Sequence, residues 1–270
     1  MQATDFIYDG IKLSDIGYII CTFDSSGVGN ATAGSTITFN SVKQHGGVYH
    51  AQVGTEYEEC FTTTFEICKN TPTTAGVDIP LEEYRFLMSW LNRREFCTFS
   101  LVDNHDHEWD DIYFEGSFNI EKILFAGRLI GLSLTFQSNR PFGFGPVTVK
   151  RFSIESPNQV VFMRNISDEV GALYPDEVVI KCTSAGDLTL YNDLEKRSTT
   201  INNCKENEIV TMDCVHQIIS TSNEDHELCN DFNFNFFRLY RTFWDKNNKI
   251  AVSLPCEIKI TYRPIKKVVF

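Results

Sequence analysis

The sequence predicts a mainly β protein built of two β domains with one α-helix. Its 270 residues include 22 phenylalanines and 10 tyrosines, and these lie in short alternating runs, as expected for strands with one buried face. Helical periodicity is sustained only once. The segment Arg140–Pro146 (RPFGFGP) breaks the strand pattern with two prolines and two glycines. We therefore expect one domain over residues 1–145 and a second over residues 146–270.

Two strand-like runs open the chain, DFIYDGIKL and IGYIICTF, and a segment of small residues follows them. This segment, Ser25–Ser35 (SSGVGNATAGS), contains only one bulky side chain, Val28. It lacks the Gly-Lys-Ser/Thr of a phosphate-binding loop, and no helix signal follows it. We interpret it as a loop, and as an arm that becomes ordered against a neighbouring molecule.

The predicted helix spans about residues 80–94 (PLEEYRFLMSWLNRR). Proline opens it, two glutamates occupy the first turn and two arginines the last turn, so every end signal agrees. Apolar residues recur at helical spacing, and we interpret this stripe as core packing on a sheet rather than as a cofactor site. The stripe consists of Leu81, Tyr84, Leu87, Met88 and Leu91.

Strand patterns resume after the helix. Ile130, Leu132, Leu134 and Phe136 alternate and predict a strand with one apolar face. In the second half, runs such as EVVIKCTS, LTLYND and EIVTMD alternate with Asn, Asp, Gly and Ser turns, which is typical of a β-sandwich. No repeat of fixed period is present, so a propeller or a solenoid is disfavoured.

The octapeptide Asn104–Asp111 (NHDHEWDD) is the strongest candidate for chemistry, because imidazoles and carboxylates hold metals and move protons. Strand-like runs flank it, FCTFSLV before and IYFEGSFN after, so we interpret it as the solvated tip of a β-hairpin. A weak cation contact or a subunit contact remains an alternative. His105 and His107 point the same way only if the segment is extended, and no third strong ligand is near in sequence. We therefore predict no metal site here.

Composition narrows the possible functions. Nine cysteines without CxxC spacing indicate reduced thiols. Residues 1–145 carry 9 basic and 19 acidic residues, a net charge of −10. Residues 146–270 carry 15 basic and 17 acidic residues, a net charge of −2. Neither half has the clustered Lys and Arg that grip nucleic acid. We find no secretory leader and no apolar run long enough to span a bilayer, so direct membrane insertion is not expected.

The order of several stretches resembles the distal tail proteins, the baseplate hub proteins of long-tailed phages and prophages of Gram-positive bacteria. In the first half these stretches are DFIYDGIKLSDIGYII, the helix end Ser89-Trp90-Leu91, IYFEGSF and GLSLTFQSNRPFGFG. In the second half, NISDEVGALYPDEVVIKCTSAGDLTLYND, EIVTMDCVHQIIS, NDFNFNFFRLY and EIKITYRPIKK resemble the galectin-like domain of that family. The likeness covers nearly the whole chain.

The resemblance implies a structural component of the virion tail tip and not an enzyme. It implies that the N-terminal domain is a β-barrel-like, ring-forming domain, of which six copies join the tail tube protein to the tail-associated fibre or lysin. The galectin-like β-sandwich would lie outside the ring. Tape-measure and receptor-binding proteins are further expected partners, with assembly in the host cytoplasm. No residue is expected to be catalytic, cofactor-binding or metal-ligating.

The alternative function is a carbohydrate-binding module for adsorption to the host surface. Galectins hold sugar with H-x-N-x-R and W-G-x-E-x-R strands, and neither motif occurs in this sequence. Trp244 is the single tryptophan of the second domain, and we interpret it as a core residue rather than as a sugar platform. The acidity of the first half suits a lumen through which DNA slides, although a solvated acidic surface explains it equally well.

Overall fold

The computed structural model describes residues 4–23, 36–43, 50–71, 76–102 and 111–267. Two compact units are present. Unit 1 comprises Met1–Phe144 and Lys267–Phe270, and unit 2 comprises Gly145–Lys266. Both are built mainly from strands, so the predicted mainly β fold class is confirmed. No helix in the described ranges is long and apolar enough to cross a membrane.

The described residues of unit 1 form ten strands, a 3₁₀ turn and the helix. The strands are β1 (Asp5–Tyr8), β2 (Ile11–Lys12), β3 (Tyr18–Cys21), β4 (Ile37–Lys43), β5 (His50–Tyr57), β6 (Thr62–Lys69), β7 (Cys97–Val102), β8 (Phe114–Phe125), β9 (Arg128–Ser138) and β10 (Gly143–Phe144). The 3₁₀ turn is Leu13–Ile16 and helix α1 is Leu81–Leu91. Seven of the strands form one antiparallel sheet in the order β2-β1-β7-β8-β9-β6-β3.

This sheet is open and does not close into the barrel-like form expected from the resemblance. Strands β2 and β3 lie at its two ends and do not pair with each other. Barrel closure needs a continuous hydrogen-bonded ladder between the end strands. Here the end strands are only 2 and 4 residues long, too short to supply one.

Aromatic residues fill the core of unit 1. Phe6 lies 5.7 to 5.9 Å, centroid to centroid, from the rings of Phe65, Trp90, Phe99 and Phe118. These rings come from strands β1, β6, β7 and β8 and from α1, so one cluster joins the helix to the sheet. The alternation that predicted a strand at Ile130–Phe136 is confirmed in β9, where Leu132, Leu134 and Phe136 are buried.

Helix α1 begins after Pro80, as predicted, but ends three residues earlier than the predicted Arg94. Asn92 leaves the helical conformation, with φ −87° and ψ 79°. Arg93 then bonds the carbonyl oxygen of Trp90 through Nε at 3.1 Å and pairs with Asp9 at 3.1 Å. Both arginines of the predicted last turn therefore lie outside the helix.

The buried face of α1 differs in part from the predicted apolar stripe. Leu87 and Leu91 are buried as expected, but the third fully buried side chain is Trp90, whose Nε1 donates to the carbonyl oxygen of Tyr8 at 3.0 Å. Leu81 is exposed. The face that meets the sheet runs through the C-terminal half of the helix, so the first turn projects beyond the core.

Unit 2 is a two-sheet sandwich. Its strands are β11 (Thr148–Ile154), β12 (Gln159–Arg164), β13 (Gly171–Leu173), β14 (Glu177–Cys182), β15 (Gly186–Asn192), β16 (Arg197–Cys204), β17 (Ile209–Asp213), β18 (Ile218–Thr221), β19 (Leu239–Arg241), β20 (Asn247–Val252), β21 (Cys256–Tyr262) and β22 (Ile265–Lys266), with a short helix α2 (Leu228–Asp231). One sheet has the order β11-β21-β14-β17-β18 and the other β12-β20-β15-β16. Residues of both sheets, such as Ile180 and Leu190, share one core.

A buried carboxylate–imidazole pair lies beside this core. Glu208 and His226 have side chains 0% and 1% exposed, and His226 Nδ1 lies 2.5 Å from Glu208 Oε1. The Thr221 hydroxyl donates to the same carboxylate oxygen at 2.5 Å, and the Lys205 backbone N–H donates to the other at 2.7 Å. Burial alone would raise the pKa of Glu208, but the hydrogen bonds from Thr221 and His226 outweigh it and hold that pKa below its usual range.

Candidate assembly surfaces

The described residues contain no group of three or more His, Cys, Asp or Glu side chains that could hold a metal ion. Residues 104–110 of the NHDHEWDD segment, among them His105 and His107, lie outside the described residues. Its flanking strands are paired antiparallel, with Phe99 of β7 opposite Phe114 of β8. All nine cysteines are free thiols. Exposed apolar side chains and an open strand edge mark the candidate assembly surfaces.

The first surface is a ribbon formed by β4 and β5. Within the ranges that the structure describes, these strands pair with each other and not with the large sheet. A two-stranded ribbon is at best marginally stable in water. This one nevertheless exposes apolar side chains on both strands, including Phe39, which is 65% exposed, Val42 and Val53. When a partner covers such side chains, the removal of their apolar surface from water stabilises the complex.

The ribbon is fastened to unit 1 at its base. The Tyr57 ring packs edge-on against Phe142 with centroids 4.9 Å apart. Lys267 Nζ donates to the Tyr57 hydroxyl at 3.0 Å. One end of β5 is thus fixed by specific contacts while the apolar side chains farther along remain uncovered. This ribbon was not predicted from the sequence, although the runs ITFNSVK and HAQVGTEY around a Gly-Gly pair are a hairpin signal.

The second surface is the free edge of β3. In the described part of the chain this strand pairs only with β6. Its outer backbone N–H and C=O groups therefore have no strand partner, and such an edge is a template for pairing with another chain. The segment Ser25–Ser35, interpreted above as an arm, follows this strand in the sequence but lies outside the described residues.

A polar network fixes β3 in place. Lys69 on β6 is nearly buried and lies 2.8 Å from Glu83 of α1, while the Tyr18 hydroxyl of β3 donates to the same carboxylate at 2.8 Å. Burial would raise the pKa of Glu83, but the hydrogen bonds from Lys69 and Tyr18 hold it below its usual range. Burial, with the bond to Glu83, raises the pKa of Tyr18. The edge strand is thereby joined to both the sheet and the helix.

The third surface lies where the β8–β9 turn meets the segment before α1. The Ile79 N–H donates to the Leu129 carbonyl oxygen at 2.8 Å, and Arg128 pairs with Asp78 at 3.3 Å. The exposed apolar side chains at this end of unit 1 are Val77, Leu81, Leu124 and Phe125. An apolar rim of this kind suits contact with another protein.

In unit 2, Trp244 is 88% exposed, so its interpretation as a core residue is wrong. It lies in the turn between β19 and β20. Thr242 N–H donates to the Asp245 carbonyl oxygen at 2.9 Å, and Asp245 N–H donates to the Thr242 hydroxyl at 2.8 Å. The turn therefore directs its two central side chains outward. Phe243 packs edge-on against Trp244, with centroids 4.7 Å apart and planes at 87°.

Comparison with known proteins relates both units to phage tails. A family described as the phage tail protein N-terminal domain matches residues 1–140. A family described as the phage tail C-terminal domain matches residues 142–262. No curated protein sequence matches the chain.

Among solved structures, the Dit protein (gp 19.1) of phage SPP1 superposes with a TM-score of 0.64 at 11% sequence identity. The match covers 97% of this chain and 99% of the SPP1 chain. That structure is described as a paradigm of the hub adsorption apparatus in phages that infect Gram-positive bacteria. The resemblance to distal tail proteins seen in the sequence is thus confirmed in family and fold, and the chain belongs to the phage tail protein family.

Proposed function

We propose that the chain is the distal tail protein of a long non-contractile tail, and that six copies form a ring at the tail tip through residues 1–145. The observation that carries this proposal is the β4–β5 ribbon, which exposes Phe39 and Val53 and, among the described residues, pairs with no further strand. In a head-to-tail ring, the ribbon of each subunit packs on the next subunit, and the free edge of β3 gains a partner.

In this proposal the ring connects the tail tube protein to the tail-associated fibre or lysin. The apolar rim at Val77, Leu81, Leu124 and Phe125 is a surface on which a neighbouring tail protein can stack. Tape-measure and receptor-binding proteins are further partners, and assembly takes place in the host cytoplasm before release in the virion. Membership of the phage tail family supports a structural role without catalysis.

The charge distribution is consistent with a ring through which DNA passes. Residues 1–145 hold 19 acidic and 9 basic residues. Carboxylates that line a lumen repel phosphate, so the genome would slide past without binding. The alternative, an acidic surface that faces solvent, predicts the same composition. Substitutions that neutralise carboxylates distinguish the two arrangements, because they alter DNA passage only if those carboxylates line the lumen.

Light scattering on the purified full-length chain tests the ring. Each subunit has a mass of 30.9 kDa, so a closed hexamer gives about 185 kDa. Phe39→Ser should shift the mass toward the monomer at a given protein concentration, because it removes an apolar contact from the ribbon. Phe162→Ser is the matched control, since Phe162 is 68% exposed but belongs to β12 of unit 2. Equal effects of the two substitutions would remove the support for the ribbon as the ring contact.

The alternative function, adsorption to host-surface carbohydrate through a galectin-like unit 2, has one observation in its favour. Trp244 presents an exposed indole on a turn braced by hydrogen bonds, and aromatic faces of this kind can stack on sugars. Sedimentation of the protein with host cell walls tests it. Loss of binding in Trp244→Ala, with binding retained in Phe162→Ala, would favour adsorption over a purely structural role.

A further inference from the structure

The outward face of the five-stranded sheet of unit 2 carries a groove of about 400 Å³. Paired residues on neighbouring antiparallel strands point to the same face, so the strand register places the lining side chains together. The lining residues form two rows of cross-strand neighbours, each with one residue from β11, one from β21 and one from β14. The two rows are separated by two residues along each strand. The first row is Arg151, Lys259 and Val179, and the second is Ser153, Glu257 and Lys181.

Positive charge is concentrated in this groove. Arg151 lies directly opposite Lys259, and like charges in that position destabilise a sheet unless an anion lies between them. Glu177 compensates Lys259, at 2.9 Å. Among the residues that the structure describes, neither Arg151 nor Lys181 forms an ion pair. A chain of net charge −12 thus gathers three cations in one small concavity.

The chemistry of the remaining lining residues favours a ligand that carries hydroxyl groups as well as an anion. Glu257 lies opposite Lys181 on one side and Ser153 on the other. A carboxylate in an anion site repels a bare anion but accepts hydrogen bonds from hydroxyls. Val179 supplies an apolar floor on which a carbon skeleton can rest.

The size of the groove distinguishes a small ligand from a protein partner. Small-molecule sites occupy about 300–1,000 Å³, and this groove lies within that range. A stable protein partner would instead need about 800 Å² of surface on each side. The volume is therefore sufficient for a small molecule or for one repeating unit of a polymer.

From these observations we propose that the groove binds a phosphorylated polyol or sugar. The phosphate lies between Arg151 and Lys259, the hydroxyls of the carrier meet Ser153 and Glu257, and Lys181 closes the edge of the site. Arginine and lysine side chains are the usual ligands of phosphate oxygens. The site lies wholly within unit 2 and does not depend on ring formation, so the two proposals succeed or fail separately.

Titration of the full-length protein with glycerol 3-phosphate and glucose 1-phosphate, followed by ligand-observed NMR, tests the site. Both esters should bind saturably, and glycerol and inorganic phosphate should bind more weakly. Arg151→Gln and Lys181→Gln should each weaken binding, with about a tenfold loss on removal of one charge-assisted hydrogen bond. Lys150→Gln is the control. Lys150 lies beside Arg151 on β11 but is opposite Ile260, on the other face of the strand.

Four outcomes would overturn the proposal. The first is the absence of saturable binding of either ester by a protein whose circular dichroism shows that it is folded. The second is equal binding of inorganic phosphate, since the Ser153–Glu257 row would then contribute nothing. The third is a loss in Lys150→Gln as large as that in Lys181→Gln. Tighter binding of polyglutamate than of either ester would also overturn it, because the groove would then be a docking surface for an acidic protein.

Discussion

Removal of the Glu208 carboxylate should destabilise unit 2 far more than removal of an exposed carboxylate. Glu208→Ala leaves His226 Nδ1 without its partner and removes the carboxylate that accepts from the Thr221 hydroxyl and the Lys205 N–H. Breaking a buried pair by removing one partner costs about 3–5 kcal/mol. Glu208→Gln retains acceptor capacity but loses the charge, so its cost should be about 1.5–3 kcal/mol.

The effect should depend on pH. Because the folded-state pKa of Glu208 is lowered, its ionised form stabilises the fold fully above the ordinary carboxyl pKa. That contribution disappears as the pH falls through the folded-state pKa. The difference in unfolding free energy between the natural chain and Glu208→Gln should therefore be largest near neutral pH and shrink below about pH 4.

Hydrogen exchange at increasing urea concentration, read by mass spectrometry on peptides of β16–β18, measures this free energy locally. Asp213→Asn is the matched control, because Asp213 forms an exposed pair with His216 at 2.7 Å in the same unit. Exposed pairs contribute about 0–1 kcal/mol. If Glu208→Ala cost no more than Asp213→Asn, or if its cost did not change with pH, the assignment of a stabilising buried carboxylate would be refuted.

Three further results are expected. Glu83→Ala should lower the unfolding free energy of unit 1 by about 1–2 kcal/mol. The reason is that nearly buried Lys69 loses its partner, while Glu83 itself is partly exposed. Calorimetry measures this free energy, and an unchanged value would contradict the prediction. Gly116→Ala should disrupt the sheet, since a Cβ there would lie 2.3 Å from the Gln137 carbonyl oxygen. Gly54→Ala is the control, because a Cβ at position 54 meets nothing within 4 Å. Equal melting temperatures of the two variants would refute this prediction. Residues 145–266 expressed alone should fold and unfold cooperatively in urea, and a fragment without a transition would show that unit 2 depends on unit 1.

Regular elements were predictable because their signals are local. Proline at position 80 and two glutamates after it mark the start of α1, and the structure places the start there. The end was predicted too late because the arginines that resemble a last turn instead bond the Trp90 carbonyl oxygen and Asp9. The pairing with Asp9 depends on the turn after β1, 84 residues earlier in the chain, and leaves no trace in the local pattern.

The assembly surfaces were harder to predict, because exposure depends on what the rest of the fold covers. Trp244 looks like a core residue by composition, yet the Thr242–Asp245 turn directs it outward. Phe39 is the same type of residue as the phenylalanines of the core, and only the strand topology determines that Phe39 is exposed while they are buried. Closure of the sheet likewise depends on the lengths of β2 and β3, which sequence patterns do not define.

The central claim, that six copies of this chain close into a ring, is tested most directly by electron microscopy of the purified full-length protein. We expect closed rings with six-fold symmetry. Their fraction should rise with salt, because carboxylates of residues 1–145 repel one another and are screened over about 8 Å at physiological ionic strength. Particles that remain monomeric at every salt and protein concentration, even with the tail tube protein present, would contradict the claim.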